Sequence, residues 1–514
     1  MNRLARMIAL TLALLCLFTI GAGAAVAHLL PARLALFQMP SVSTASLARP
    51  GVALPGASGS PSSLRGSAAT AAGVAAALGG LIRSGNLGPH VGALVTDLST
   101  GHVLYALNAA AGFTPASTTK IATAIAALET LGPGARFSTT VVLRPRQAAS
   151  RPGGGSTSGG GSTSGQGNAG GKAATRAARI VLVGGGDPVL AAHSYPPADY
   201  PQPATLSALA EQTAKALRAR GISQVRLGYD GTRFGGPQVA PGWKPFGTPG
   251  NYASSGNVTP ITGLELDQGR LTAKGAPDDS DDPGNYRPRS LTPTRDAARA
   301  FAGFLRKDRI TVRGALVPVD APAHASSLAA VHSPPLAAIV QQMLTESNNV
   351  IAETLARQVA VASGRPGTFK GGADAVMAVA ARLHVTGLHL VDGSGLSPVD
   401  RISPRALVSL VGLAAKSGPR SLRPVITGMP VAGFSGTLGP GSFFGPFGRT
   451  ALGTVRAKTG NLSHVATLAG VAYTSSGQML AFAFMGNGIS SKLAALPEST
   501  LAQLATALAG CGCG

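Results

Sequence analysis

Three short motifs lie far apart in this chain and do chemistry only if they meet: Ser117-Thr118-Thr119-Lys120, Ser347-Asn348-Asn349 and Lys458-Thr459-Gly460. The two serines stand 230 residues apart, and Lys458 comes another 111 residues later. Each motif alone is ordinary: a Ser and a Lys on a surface helix, a capping serine with a turn asparagine, a turn at the end of a strand. In this order they supply a nucleophile, a base, a proton relay and an anion clamp. A fold that uses them must close three remote segments around one cleft and set aside most of what lies between the first and the second.

The local contexts suit that use. Pro115 precedes the first motif and Ile121, Ala122 and Ala124 follow it, which places Ser117 at a helix start with Lys120 on the same face one turn along. A serine hydroxyl is a poor nucleophile at neutral pH and needs a base. Lys120 can serve only when neutral, and lowering its pKa by about three units takes roughly 4 kcal/mol from burial and a nearby cation. Lys458 is the candidate cation. The helix N-terminus adds a positive potential at the reacting centre. Ser347 and Asn349, two apart on a loop or helix end, can both reach a cleft beside Lys120. There Ser347 would relay a proton to a leaving amine, and Asn349 would hold a substrate amide and Lys120. Lys458-Thr459-Gly460 ends a strand-like run, and a strand edge offers backbone hydrogen bonds to an extended peptide. Lys458 and Thr459 suit a carboxylate, and Gly460 lets a substrate approach. The N–H groups of Ser117 and Asn461 would form an oxyanion hole. This set performs acyl transfer without a catalytic histidine.

The first residues bear on compartment. Arg3 and Arg6 precede an apolar run from Met7 to Ala27 that ends in Ala25-Val26-Ala27. That is an export signal, long enough to stay as a membrane anchor if it is not cleaved. Cys16 lies inside it, after a Leu14-Leu15 that makes acylation unfavourable. Cys511 and Cys513 form the only later pair, in a tail expected to be frayed. Charged residues make up only 12%, yet 43 Lys+Arg against 21 Asp+Glu leave a net +22. Such an excess reflects either a composition biased towards Ala, Gly and Arg or an attraction to anionic wall polymers or a membrane surface. No Lys/Arg run with interleaved aromatics exists, which argues against nucleic acid. No His-Glu-x-x-His motif is present, and no metal or organic cofactor is expected.

Residues 28–72 read as a Pro/Ser/Ala-rich stalk, with an Ala-rich helix over 72–83. Strands are predicted at 91–98 and 103–107 around the Ser99-Thr100-Gly101 turn. The Gly/Ser run 153–171 has no apolar area to bury and is expected to be disordered. A strand at 180–183 precedes Gly184-Gly185-Gly186-Asp187-Pro188, a glycine cluster without the ending of a phosphate loop. A helix at 204–220, a strand at 225–229, a polar irregular stretch at 275–290 and a helix at 294–308 follow. The second motif falls in or beside a helix at 334–361. Strands at 453–459, 465–473 and 479–486 and a last helix at 491–509 complete the chain. The pattern is one α/β (α+β) domain whose sequence is split: 85–137 and 322–509 flank an insertion at 138–321, after 1–27 and 28–84 and before the tail 510–514.

With these motifs in place, the chain resembles a low-molecular-mass class C penicillin-binding protein, the D-alanyl-D-alanine carboxypeptidase/endopeptidase family, over about 85–505. Gly185-Gly186-Asp187-Pro188, Pro241-Gly242-Trp243, Ala352-Glu353, Asp392-Gly393-Ser394-Gly395-Leu396-Ser397 and Gly436-Thr437-Leu438 add to the likeness. The resemblance implies a penicillin-binding/β-lactamase-like transpeptidase domain, an antiparallel sheet flanked by helices, with the insertion forming two smaller domains. It implies an acyl-enzyme on Ser117 made from peptidoglycan stem peptides, with β-lactams as inhibitors. One departure is Asn461, where the family usually has Thr. A serine hydrolase of β-lactamase type and a non-catalytic wall-binding protein are the competing readings.

Overall fold

The computed structural model describes residues 68–144, 177–197, 199–271, 287–322, 325–416, 421–442 and 444–513. The export segment, nearly all of the stalk and the Gly/Ser run 153–171 lie outside them. Five strands form an antiparallel sheet: β1 (His90–Asp97), β2 (Val103–Leu107), β11 (Val455–Leu462), β12 (Val465–Tyr473) and β13 (Met479–Asn487), in the order β11-β12-β13-β1-β2. Strands from 90–107 and from 455–487 therefore share one sheet, because β1 pairs with β13.

Strand alternation places side chains on both faces, and both faces are covered. From β13, Leu480, Phe482 and Phe484 enter one core with helices α1 (Ala71–Ile82) and α10 (Leu496–Ala509). Ala481, Ala483 and Met485 face the other core, shared with α2 (Thr119–Leu131), α5 (Leu336–Thr345), α6 (Asn349–Ala362), α7 (Phe369–Arg382) and α8 (Pro404–Lys416). Each fully buried Phe there is worth about 1.5–3 kcal/mol. Helix α2 is buried all round from Thr119 to Leu128, so it is a central helix of the domain and not a surface one.

The intervening chain builds a second, mixed sheet from β3 (Ser138–Leu143), β4 (Ala178–Val183), β5 (Gln224–Asp230), β6 (Thr311–Val312) and β8 (Ser326–His332), ordered β6-β5-β4-β3-β8, with β7 (Val317–Pro318) also on β5. Helices α3 (Leu206–Arg218) and α4 (Pro293–Lys307) supply Leu209, Leu217, Phe301 and Leu305 to its core. Thr205 caps α3 by accepting from the Ala208 N–H. A short pair, β9 (Leu388–His389) with β10 (Arg401–Ile402), and the helix α9 (Arg423–Gly428) finish the fold.

Three expectations need correction. The helix expected over 334–361 is two helices, broken where Ser347 takes a left-handed φ of 56°. The last helix begins at Leu496, after a short 3-10 turn at Ser491–Leu493. The tail is not frayed: Cys511 is 3% exposed, the Cys513 carbonyl accepts from the Thr70 N–H and hydroxyl, and a disulfide joins the two cysteines. Among the described residues, no helix is long and apolar enough to cross a membrane.

Candidate active site

Ser117 sits in a 3-10 turn, Ala116–Thr118, that leads directly into α2. Ala116 holds a φ of 48°, a conformation that non-glycine residues seldom adopt and that gathers at functional sites. The turn is braced from two sides. A Cβ built on Gly395 would lie 1.9 Å from the Ala116 carbonyl oxygen, and one on Gly460 would lie 2.6 Å from that of Pro115. Gly460 is thus required by the closure of β11 on the nucleophile turn, whereas the sequence suggested that it makes room for substrate. The Thr467 hydroxyl adds a bond to the Pro115 carbonyl at 2.8 Å.

Lys120 lies one turn on and is fully buried. Its Nζ donates to Ser117 Oγ at 2.7 Å, to Asn349 Oδ1 at 2.7 Å and to the Ser394 carbonyl at 2.8 Å. Burial pushes its pKa down to about 7, and the Asp392 and Glu353 carboxylates pull it back up. Lys458 is also fully buried; its Nζ donates to Ser347 Oγ at 2.8 Å and to the Thr459 carbonyl at 2.9 Å. Its pKa lies well below the usual lysine range because of burial and then the Lys120 charge, with Glu346 opposing. Burial, not the Lys458 cation, is therefore the leading cause of Lys120's shift. The repulsion between the two ammonium groups falls on Lys458.

The second motif occupies the break between α5 and α6. Asn348 caps α6 through its Oδ1, which accepts from the Ile351 N–H, and Asn349 opens the helix. The intervening segment reaches this break as well. The Asn257 carbonyl accepts from Asn349 Nδ2 at 3.2 Å, which turns the Asn349 oxygen toward Lys120, and Gln268 Oε1 accepts from Asn348 Nδ2 at 2.8 Å.

The third motif lies on an edge strand. Ala457 donates to the Pro430 carbonyl, and the Val455 carbonyl accepts from Ala432, so the segment 430–432 covers the outer edge of β11 as far as Ala457. Peptide groups alternate between the two edges of a strand. Thr459 and Asn461 therefore direct theirs to the same outer edge, beyond that cover. The Thr459 hydroxyl donates to Thr437 Oγ1 at 2.7 Å, and Asn461 Nδ2 donates to Glu498 Oε1 at 2.5 Å. The three motifs thus come together: Lys120 meets Ser117 and Asn349, Lys458 meets Ser347, and β11 at Gly460 closes on the turn that carries Ser117.

Several supporting groups had no signal of their own. The Ser394 carbonyl is aimed at Lys120 by the loop 392–397. Glu353 Oε1 accepts the N–H groups of Gly393 and Ser394, while Asp392 accepts from Gly395, Ser397 and Trp243 Nε1. Burial and the Asp392 charge push Asp400 up to about 10, so it keeps its proton beside Asp392. Only the likeness of these stretches to a family could have drawn the eye to them.

The chain matches the model of the "D-Ala-D-Ala carboxypeptidase 3 (S13) family" over residues 74–154, 163–282 and 253–508. It is 36% identical over 449 residues to a carboxypeptidase of Mycobacterium tuberculosis, covering 86% of this chain and 85% of that protein. Among solved structures, it resembles penicillin binding protein 4 of Haemophilus influenzae with a TM-score of 0.61, at 21% identity, over 85% of this chain and 97% of that one. The same Haemophilus protein in complex with a β-lactam gives a TM-score of 0.58, at 20% identity, over 84% and 97% of the two chains.

Proposed function

The chain belongs to the D-Ala-D-Ala carboxypeptidase 3 (S13) family, and from that membership and the geometry of the cleft we propose that it is a serine-type D-alanyl-D-alanine carboxypeptidase acting on peptidoglycan stem peptides. One observation carries the mechanism: a buried lysine with a depressed pKa stands 2.7 Å from a half-buried serine hydroxyl. Lys120, when neutral, takes the Ser117 proton as Oγ bonds to the carbonyl carbon between the two D-alanines. Charge developing on that carbonyl oxygen is met by the N–H groups of Ser117 and Asn461. Ser347, hydrogen-bonded to Lys458, hands its proton to the departing amine as the C–N bond breaks, and the proton that Lys120 took from Ser117 is returned to Ser347, so that both groups end as they began. Asn349 orients Lys120 and holds a substrate amide. The terminal carboxylate rests near Lys458 and Thr459, and Gly460 keeps the strand close to the nucleophile. Water then hydrolyses the ester on Ser117. Where the leaving amine belongs to a neighbouring stem peptide, the same steps amount to endopeptidase action.

β-Lactams imitate this substrate and acylate the same serine. The segment 138–321 is read as an insertion that splits the catalytic domain into 85–137 and 322–509. The enzyme works outside the cytoplasm, where the wall is. Residues 1–27 are read as the export signal or anchor that delivers it, and the net +22 as attraction to anionic wall polymers or a membrane surface.

Intact-mass spectrometry of residues 28–514 with benzylpenicillin, beside Ser117→Ala, tests the reading. One adduct per chain, mapped to Ser117 and missing from the variant, is expected. Intact penicillin with no adduct points instead to a non-catalytic wall protein. Rapid penicillin hydrolysis with no adduct points to a β-lactamase.

A further inference from the structure

We propose that Thr437 is a substrate-recognition residue of this cleft: with Thr459 it forms a two-hydroxyl relay that donates to the C-terminal carboxylate of the substrate peptide. This rests on the reading that Lys458 and Thr459 receive that carboxylate.

The direction of one hydrogen bond motivates it. Thr459 Oγ1 donates to Thr437 Oγ1 at 2.7 Å. Thr459 has thus committed its only hydroxyl proton, whereas Thr437 keeps its own, which no acceptor takes among the described residues. Thr459 and Lys458 are 4% and 0% exposed, but Thr437 is half-buried. An anion arriving beside the Lys458 ammonium finds its free hydroxyl donor at Thr437. In a chain Thr459→Thr437→carboxylate each bond polarises the next, and a bond to an ionised acceptor is the stronger kind.

Thr437 is held in place by its loop. Gly436 takes a φ of 54°, and a Cβ on it would lie 2.2 Å from the Thr345 carbonyl oxygen at the end of α5. The 3-10 turn Gly436–Leu438 can therefore seat tightly against α5. Gly433 donates to the Leu438 carbonyl at 2.8 Å and Val431 donates to Ser435 Oγ at 3.0 Å, closing the loop. Its stem pairs with β11 through Ala432 and Ala457. On the other side of Thr459, Asn461 directs its amide to Glu498 on α10.

The test compares acylation by benzylpenicillin, which bears a free carboxylate, with acylation by its methyl ester, both followed by intact mass. Thr437→Val keeps the side-chain shape and removes the hydroxyl, Thr437→Ser keeps the hydroxyl, and Thr459→Val is the reference. In Thr437→Val the acid-to-ester ratio of acylation rates should fall about tenfold, and in Thr437→Ser it should stay near that of the wild type. An unchanged ratio in Thr437→Val, while Thr459→Val lowers it, overturns the role of Thr437 alone. So does an equal loss on both substrates, which marks a packing role. An unchanged ratio in both Val variants overturns the carboxylate reading on which the proposal rests.

Discussion

Lys120 is a fully buried base in a protein of strongly positive charge, and its surroundings set when it can act. Burial holds its pKa at about 7, against 10.5 for the free side chain. The acylation rate should therefore rise with pH through about 7, as the neutral amine becomes populated, and level off above it. Stopped-flow acylation by a chromogenic β-lactam across pH 5–10 would show this rise. A flat profile through pH 7 would exclude Lys120 as the base. The same shift has a stability consequence with a definite sign. Between pH 7 and 10.5 the unfolded chain binds a proton that the folded chain does not, so this group's penalty on folding, on the order of 5 kcal/mol below pH 7, shrinks as pH rises through that window.

At the scale of elements, the catalytic geometry depends on how closely β11 approaches the turn at Ser117. A Cβ on Gly460 would meet Thr467 Oγ1 at 2.2 Å and the Pro115 carbonyl oxygen at 2.6 Å. Gly460→Ala should force the strand and turn apart. A misplacement of about 1 Å at the reacting atoms costs on the order of 100-fold in rate, and overpacking costs about 1–3 kcal/mol of stability. The expected outcome is a severe loss of penicillin acylation with a modest drop in melting temperature; retained acylation would show that the close packing is not needed. The strands around this contact were legible beforehand, because 465–473 and 479–486 are apolar and β-prone and Ser475-Ser476-Gly477 separates them. The break between α5 and α6 was not. No Gly or Pro marks it, and Ser347, whose Oγ accepts from Lys458 Nζ, takes its left-handed φ of 56° without either. Nor could a local pattern reveal that α2 is buried on every side, since that depends on helices more than 200 residues away.

For the whole molecule, the order and separation of three motifs pointed to a convergence of remote segments, and the hydrogen bonds of Lys120 to Ser117 and Asn349 and of Lys458 to Ser347 bring those segments together. What holds the intervening segment against the catalytic helices was not readable, because it is made of single side chains meeting backbone carbonyls. Gln358 on α6 is the clearest of these. It is 1% exposed, and its Nε2 donates to the Gly185 and Gly186 carbonyls at 2.8 and 2.9 Å while its Oε1 accepts from Arg233 Nε and Nη2 at 3.0 and 2.8 Å. Gly186 itself, with a φ of 74°, has no space for a Cβ beside that amide. Trp243 makes a second tie, to Asp392, in the loop that aims the Ser394 carbonyl at Lys120. Gln358→Leu keeps the approximate volume but leaves the buried Gly186 carbonyl and the partly buried Gly185 carbonyl without that donor and the exposed Arg233 guanidinium without that acceptor, at about 1–3 kcal/mol for each uncompensated buried group. Denaturant unfolding should show a loss of about 2–5 kcal/mol. Protection from hydrogen exchange should fall first in 184–190 and in α6 beside Gln358, and the penicillin adduct on Ser117 should still form in the remaining folded protein. Unchanged stability would mean that Trp243 and the apolar contacts around it suffice to hold the two parts together.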